Sequence, residues 1–134
     1  MANTTSIKDK FPHRKLEVYH LASDFFVRCW KLGDSATIRD GFLRSQFLRA
    51  ALSIKLNIAE GASEIKPAEK ARLYRIARRS AEEVASLFDD FPRTIGITEE
   101  TLEPFYVELY AIGVALTHLI LSMERKAKPR GKQK

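Results

Sequence analysis

The chain has very little cysteine and no clustered histidine, and this excludes several kinds of site. Cys29 is the single cysteine among 134 residues, so neither an internal disulfide nor a cysteine-based metal cluster can form. His13, His20 and His118 share no metal-ligand spacing, and Glu17-x-x-His20 is a single Glu-x-x-His pair where a di-iron bundle needs two. We therefore predict no metal site and no cofactor, and we interpret Cys29 as a packed thiol.

Glycine is also sparse, and long hydrophobic runs are missing. Gly41, Gly61 and Gly113 are isolated in the sequence, so they do not form a phosphate-binding loop. No run reaches about 18 apolar residues, so no transmembrane helix and no membrane partner is expected. Met1 to Pro12 is polar and lacks the apolar core of a signal peptide. Together these features predict a cytoplasmic protein, and we find no residue constellation that predicts an enzyme.

Positive charge is in excess, and it is unevenly distributed along the chain. The net charge is +6. Arg39–Arg79 contains ten basic and four acidic residues, whereas Ser80–Glu124 contains one basic and nine acidic residues. Arg125–Lys134 contains six basic residues and no acid. This asymmetry indicates an anionic partner for the basic segments, or alternatively contacts between basic and acidic faces of neighbouring helices or subunits.

Apolar residues recur at helical spacing almost throughout the chain, which predicts an all-α fold. We expect helices at about 15–32, 39–60, 67–90 and 98–126. The short connections between them favour antiparallel neighbours, so the predicted architecture is an antiparallel up-and-down four-helix bundle over residues 15–125. We expect a flexible segment at residues 1–14 and a basic disordered tail at residues 126–134.

Local signals set the predicted helix ends. Gly61 is expected to end the second helix, and Asn57 and Glu60 are expected to bond the backbone at that turn. Pro92 is expected to stop the third helix, and the Thr98 hydroxyl is expected to cap the fourth.

Each predicted helix has one apolar face that we assign to the core. These faces are Tyr19, Ala22, Phe26 and Trp30; Leu43, Phe47, Ala50, Ala51, Ile54 and Ile58; Leu73, Ile76, Ala77, Ser80, Val84, Leu87 and Phe88; and Leu102, Phe105, Leu109, Ile112, Gly113, Leu116, Ile120 and Met123. Three of the helices carry a second apolar stripe as well, and a soluble monomer rarely exposes so much apolar surface.

The second stripes predict a homo-oligomer. The predicted interface residues are Val18, Leu21, Phe25, Leu48, Leu52, Leu56, Val107, Tyr110 and Val114. The alternative is that a central bundle helix contacts two neighbours and therefore needs a wide apolar arc.

Basic side chains form a second candidate surface, because arginine and lysine on one helix face suit phosphate contacts. The predicted nucleic-acid contacts are Arg44, Arg49, Lys55, Lys70, Arg72, Arg75, Arg78, Arg79, Lys126, Lys128 and Arg130. Tyr74 is a candidate for stacking on a base, or equally for packing on a neighbouring helix. The alternative for the third helix is a solvated face whose arginines pair with acids such as Glu69, Glu82 and Glu83.

Three sequence motifs resemble a known family. They are Lys15-Leu16-Glu17-Val18-Tyr19-His20-Leu21-Ala22, the stretch from Ser45 to Ile54 followed by Asn57-Ile58-Ala59-Glu60-Gly61, and Arg75-Ile76-Ala77 with Ser80 and Glu83. The chain resembles the bacterial four-helix-bundle proteins encoded in intervening sequences of 23S ribosomal RNA genes. That family is related to the accessory variability proteins of diversity-generating retroelements.

The resemblance implies a ring or barrel of subunits, most often a pentamer, with a basic surface that binds nucleic acid. In the retroelement branch it also implies a reverse transcriptase as partner, and it implies no enzymatic activity. Lys55 and Arg79 stand where family members commonly have proline and glycine, and both changes add positive charge. The expected function is therefore a non-enzymatic oligomeric scaffold that binds RNA or DNA, and the alternative is a protein-protein interaction module.

Overall fold

The computed structural model describes residues 6–129, and within them it is entirely helical. Two short 3₁₀ helices come first, Ile7–Lys10 and Pro12–Lys15. Four α-helices follow: α1 (Glu17–Leu32), α2 (Gly41–Ser63), α3 (Pro67–Thr94) and α4 (Glu99–Ala127). No strand occurs in this part of the chain. The predicted all-α class and the predicted number of helices are confirmed.

Polar side chains fix the start of α2 and α4. The Asp40 carboxylate accepts a hydrogen bond from the backbone N–H of Leu43 at 2.8 Å. The Thr98 hydroxyl accepts one from the backbone N–H of Thr101 at 3.1 Å, as predicted. Each cap satisfies a donor that the first helical turn leaves free.

Two helices continue past the residues that were expected to end them. The α2 helix runs through Gly61 to Ser63, and α3 runs through Pro92 to Thr94. Gly61 is a helical residue that lies against the Tyr74 ring of α3. Pro92 removes a hydrogen bond only in the last turn of α3, and Gly96, two residues beyond its end, has a φ of +75°.

Two short helices precede the bundle. They lie at residues 7–10 and 12–15, and all but Lys15 fall within the segment, residues 1–14, that we expected to be flexible. An ion pair between Arg14 and Asp9 (2.9 Å) and a hydrogen bond from His20 Nε2 to the Arg14 carbonyl (2.8 Å) hold them in place. The α4 helix extends to Ala127, into the predicted tail. The remainder of that tail, residues 130–134, lies outside the described residues.

Each α-helix packs against two others. The α1 helix lies beside α2 and α4, and α3 also lies beside α2 and α4, while the backbones of α1 and α3, and of α2 and α4, stay further apart in the described chain. The four helices therefore enclose one core.

An aromatic cluster around Phe88 forms one end of that core. The ring of Phe88 lies 5.5 Å from those of Phe47 and Phe91 and 5.6 Å from those of Phe105 and Tyr106, measured between centroids. Most of these pairs meet edge to face, which is a favourable arrangement for aromatic rings. The cluster joins α2, α3 and α4.

The core face of α1 differs from the prediction. Its buried residues are Val18, Ala22, Phe25 and Cys29, whereas Trp30 is 62% exposed. The two apolar stripes of α1 are similarly hydrophobic, so periodicity alone could not identify the buried one. On α2 and α4 most of the predicted core residues are buried.

The α4 helix is long and apolar enough to cross a membrane, by length and composition alone, and no other helix of the described residues meets this test. Core helices of soluble proteins also meet it, and α4 contributes Leu102, Leu109, Ile112, Leu116, Ile120 and Met123 to the core. Only 22% of its most apolar window is buried, so α4 also presents apolar surface outside the core.

Candidate nucleic-acid interface

Most of the arginines on α3 already have partners within the chain. Arg72 pairs with Glu69 (3.1 Å), Arg75 pairs with Glu124 (2.9 Å), and Arg78 donates to Thr117 Oγ1 (3.1 Å). Arg79 is exposed and has no such partner among the described residues. The two ion pairs are solvent-exposed and therefore contribute little stability, so Arg72 and Arg75 remain able to exchange their carboxylates for phosphates.

Lys70 has a structural role that its position in the sequence does not reveal. Its ammonium group donates to the backbone carbonyls of Gly61 and Ala62, each at 3.0 Å. Both carbonyls belong to the last turn of α2, where unpaired acceptors and the helix dipole favour a cation. Lys70 therefore caps α2, and two of its three N–H donors are already used.

The basic residues of α2 mainly join it to its neighbours. Arg44 donates to the Ile38 carbonyl at 2.6 Å and so fixes the α1–α2 connection. Arg49 lies 3.2 Å from a carboxylate oxygen of Glu83 on α3.

Polar side chains form a seam between α2 and α3. Two of them, Ser53 and Asn57, belong to the α2 motif that resembles the family. The hydroxyls of Ser53 and Ser80 are hydrogen-bonded at 2.8 Å. Asn57 donates to the Ser53 carbonyl (2.9 Å) and hydroxyl (3.0 Å), and not to the backbone around Gly61 as expected. These groups satisfy one another, so we assign the seam to helix packing.

Many of the exposed cations lie at one end of the molecule, which we call the basic end. A hollow lined by residues that include His13, Glu60, Glu64 and Arg72 joins the second 3₁₀ helix to the end of α2 and the start of α3. A second hollow, lined by residues that include Arg75 and Lys128, joins the start of α3 to the end of α4. The exposed cations at this end without an ion-pair partner in residues 6–129 are Lys10, Lys15, Lys66, Arg125, Lys126 and Lys128. Arg130 lies outside the described residues.

The far end of α3, about 40 Å away at 1.5 Å per residue, is acidic. Its exposed acids are Asp89, Asp90, Glu99, Glu100 and Glu103. The hydroxyl of Tyr106 donates to Asp89 at 2.7 Å. Burial, together with this hydrogen bond, raises the pKa of Tyr106 to about 12. The uneven charge of the sequence thus becomes a separation of charge along the helix axes.

The predicted oligomer residues divide into buried and exposed groups. Val18 and Phe25 lie in the core of their own chain, where a second subunit cannot reach them, so they are not interface residues. Leu48 and Leu52 are half-buried. The remaining five, Leu21, Leu56, Val107, Tyr110 and Val114, are exposed.

A groove of about 530 Å³ runs between α3 and α4 beside the exposed α4 residues. Its apolar lining is Ala81, Ala85, Leu109, Tyr110, Gly113 and Val114. A Cβ atom at Gly113 would meet nothing within 4 Å. The small side chains on its floor leave room for the side chains of another molecule.

Five aromatic residues lie in two groups along α1 and the 3₁₀ helices, and together we call them the aromatic row. The rings of Phe11, His13 and Tyr19 pack in turn, and those of Phe26 and Trp30 pack on each other. Lys55 of α2 bridges its middle, with Nζ 5.6 Å from the Tyr19 centroid and 5.8 Å from that of Phe26. Sequence reasoning missed the row because Trp30 and Phe26 were assigned to the core.

Tyr74 packs inside the molecule. It is buried in the core against Gly61 of α2. The expectation that Tyr74 packs on a neighbouring helix is therefore confirmed, and the expectation that it stacks on a base is wrong. Burial raises the pKa of its hydroxyl.

Neither a reactive thiol nor a metal-binding group is found in the described residues. Cys29 is fully buried, and burial raises the pKa of its thiol far above the usual range. A neutral, enclosed thiol is a poor nucleophile. No group of three or more His, Cys, Asp or Glu side chains that could hold a metal ion occurs in residues 6–129.

Comparison with known proteins identifies the family. A solved structure from Bacteroides thetaiotaomicron, described as a protein with unknown function from the S23 ribosomal protein family, is 23% identical. The match covers 84% of this chain and 99% of that one with a TM-score of 0.59, which shows a shared fold. No curated protein matches. The family model described as 23S rRNA-intervening sequence protein matches residues 14–118. The chain therefore belongs to the 23S rRNA-intervening sequence protein family.

Proposed function

We propose that this protein is a non-enzymatic, homo-oligomeric scaffold that binds nucleic acid, RNA in particular, through its basic end. The observation that carries the proposal is the set of exposed cations without an ion-pair partner at the end of the molecule where α2 ends, α3 begins and α4 ends. Phosphate contacts of this kind give affinity without reading sequence. Arg49, Arg72, Arg75 and Arg79 extend this surface along α2 and α3, whereas Arg44, Lys70 and Arg78 hold the fold together.

The proposal includes the antiparallel up-and-down arrangement of the helices. Contacts between α2 and α3 support it, because Phe47 meets Phe88 while Gly61, later in α2, meets Tyr74, earlier in α3. The α3–α4 contacts have the same order, with Arg78 at Thr117 and Arg75 at Glu124.

The oligomer is supported by the exposed apolar surface of α4 and by its groove with α3. We propose five subunits in the cytoplasm, following the family resemblance, which also supports a reverse transcriptase as partner. The interaction-module alternative is favoured by the same groove, and it predicts an oligomer with no affinity for RNA.

Val114→Glu is expected to dissociate the oligomer, because it places a charge beside the apolar groove. Val27→Glu is the matched control, since Val27 is a similarly exposed valine on α1. Size-exclusion chromatography with light scattering at micromolar concentration gives the mass of each. We expect Val114→Glu to have a lower mass than the unmodified protein, and Val27→Glu to have the same mass. If the unmodified protein is itself a monomer, the proposed oligomer is contradicted.

The double variant Lys126→Ala/Lys128→Ala is expected to weaken RNA binding about tenfold at low salt, because it removes two phosphate contacts. The control variant Arg28→Ala/Arg93→Ala also removes two positive charges, but these lie away from the basic end. There Arg28 pairs with Glu108, and Arg93 pairs with Asp90. Fluorescence anisotropy with labelled RNA measures both. Equal losses in the two variants would contradict a role for the basic end.

A further inference from the structure

The aromatic row ends in two large side chains that the fold leaves uncovered. Trp30 is 62% exposed and Phe11 is 55% exposed. Tyr19 and Phe26, between them, are half-buried against α2. The exposed aromatic surface of the row is therefore concentrated at its two ends, and at one of them the Trp30 ring lies beside Phe26.

Positive charge accompanies the row along its length. Lys55 lies between the rings of Tyr19 and Phe26. At the Trp30 end, a hollow of about 460 Å³ is lined by residues that include Lys31, together with Arg44, whose guanidinium also donates to the Ile38 carbonyl. One acid, Asp34, also lines this hollow, and its carboxylate accepts a hydrogen bond from the Ala36 backbone N–H at 3.0 Å.

From this combination we infer that the aromatic row binds unpaired nucleotides of a single-stranded nucleic acid. The bases stack on exposed rings such as Trp30, and the adjacent cations contact the phosphates. The inference rests on the proposed nucleic-acid function, and it names both a second contact surface and the form of nucleic acid preferred.

The dimensions of the row suit such a strand. Tyr19 and Trp30 are eleven residues apart on one helix, or about 16 Å along its axis. Stacked nucleotides rise about 3.4 Å each along a strand, so this length holds roughly five. A protein partner would instead favour the groove between α3 and α4, whose lining is mainly apolar, whereas the rings of the row lie beside Lys55 and Lys31.

The chain contains a single tryptophan, so its intrinsic fluorescence reports on Trp30 directly. The test titrates the full-length protein with a short oligouridylate and with an abasic ribose-phosphate oligomer of the same length. We expect the oligouridylate to quench the emission and the abasic oligomer to leave it unchanged. Trp30→Leu removes this signal, so its affinity is measured by the fluorescence anisotropy of a labelled oligouridylate. It should bind about tenfold more weakly, as for the loss of one stacked base.

Phe42→Leu is the matched control, because Phe42 is an exposed aromatic outside the row, and its affinity should remain within about twofold of the unmodified protein. Equal affinity for the two oligomers, or equal effects of the two variants, overturns this inference. The proposal that the basic end binds nucleic acid would still stand. Absence of any RNA binding at low salt overturns the proposed function and this inference together.

Discussion

Phe88→Ala is expected to lower the free energy of unfolding by about 3–5 kcal/mol, the usual cost of removing a buried phenylalanine ring. Phe88 is fully buried and lies at the centre of the aromatic cluster. The change leaves a cavity bordered by Phe47, Phe91 and Phe105, whose rings belong to three helices and cannot all move to fill it. Most of the stability of a small domain would be lost.

Phe42→Ala is the matched control for this change. Phe42 is 76% exposed, so its removal should alter the free energy of unfolding by no more than about 0.5 kcal/mol. Urea unfolding followed by circular dichroism gives both values. Similar values for the two variants would contradict the packing described around Phe88.

Alanine substitutions at two helical glycines are expected to have opposite effects. At Gly61 an added Cβ would lie 2.5 Å from Cε1 of Tyr74, whose buried ring cannot swing away. Gly61→Ala should therefore destabilise the fold by about 1–3 kcal/mol, as overpacking usually does. At Gly113 a Cβ would meet nothing, so Gly113→Ala should stabilise α4 by up to about 1 kcal/mol through helix propensity.

A double-mutant cycle assigns the Gly61 effect to its neighbour. In a Tyr74→Leu background the obstructing ring is absent, so Gly61→Ala should cost much less than it does alone. Urea unfolding of the four proteins measures the coupling. An equal cost in both backgrounds would show that the clash with Tyr74 is not the cause.

The helices could be predicted from the sequence because their apolar residues recur regularly and their caps are local. The Thr98 cap depends on residues within one turn, and the structure has it as predicted. The buried face of α1 could not be predicted, since Phe26 and Trp30 are as apolar as Val18 and Phe25. Only the positions of α2 and α4 decide which stripe is covered.

The candidate site was less predictable for a related reason. The sequence identifies cations, but whether each one is free depends on tertiary contacts. Lys70 caps α2 and Arg44 binds the Ile38 carbonyl, and neither partner is evident from local spacing. The basic end likewise combines segments as distant as Lys15 and Lys128, which come together only in the folded chain.

The salt dependence of RNA affinity tests the proposed function most directly. If about five cations of the basic end contact phosphates on single-stranded RNA, the logarithm of the association constant should fall linearly with that of salt concentration, with a slope of about −3.5. Affinity should then drop about a hundredfold between about 50 and 200 mM salt. Binding that does not change with salt, or no binding at about 50 mM, would contradict a nucleic-acid scaffold.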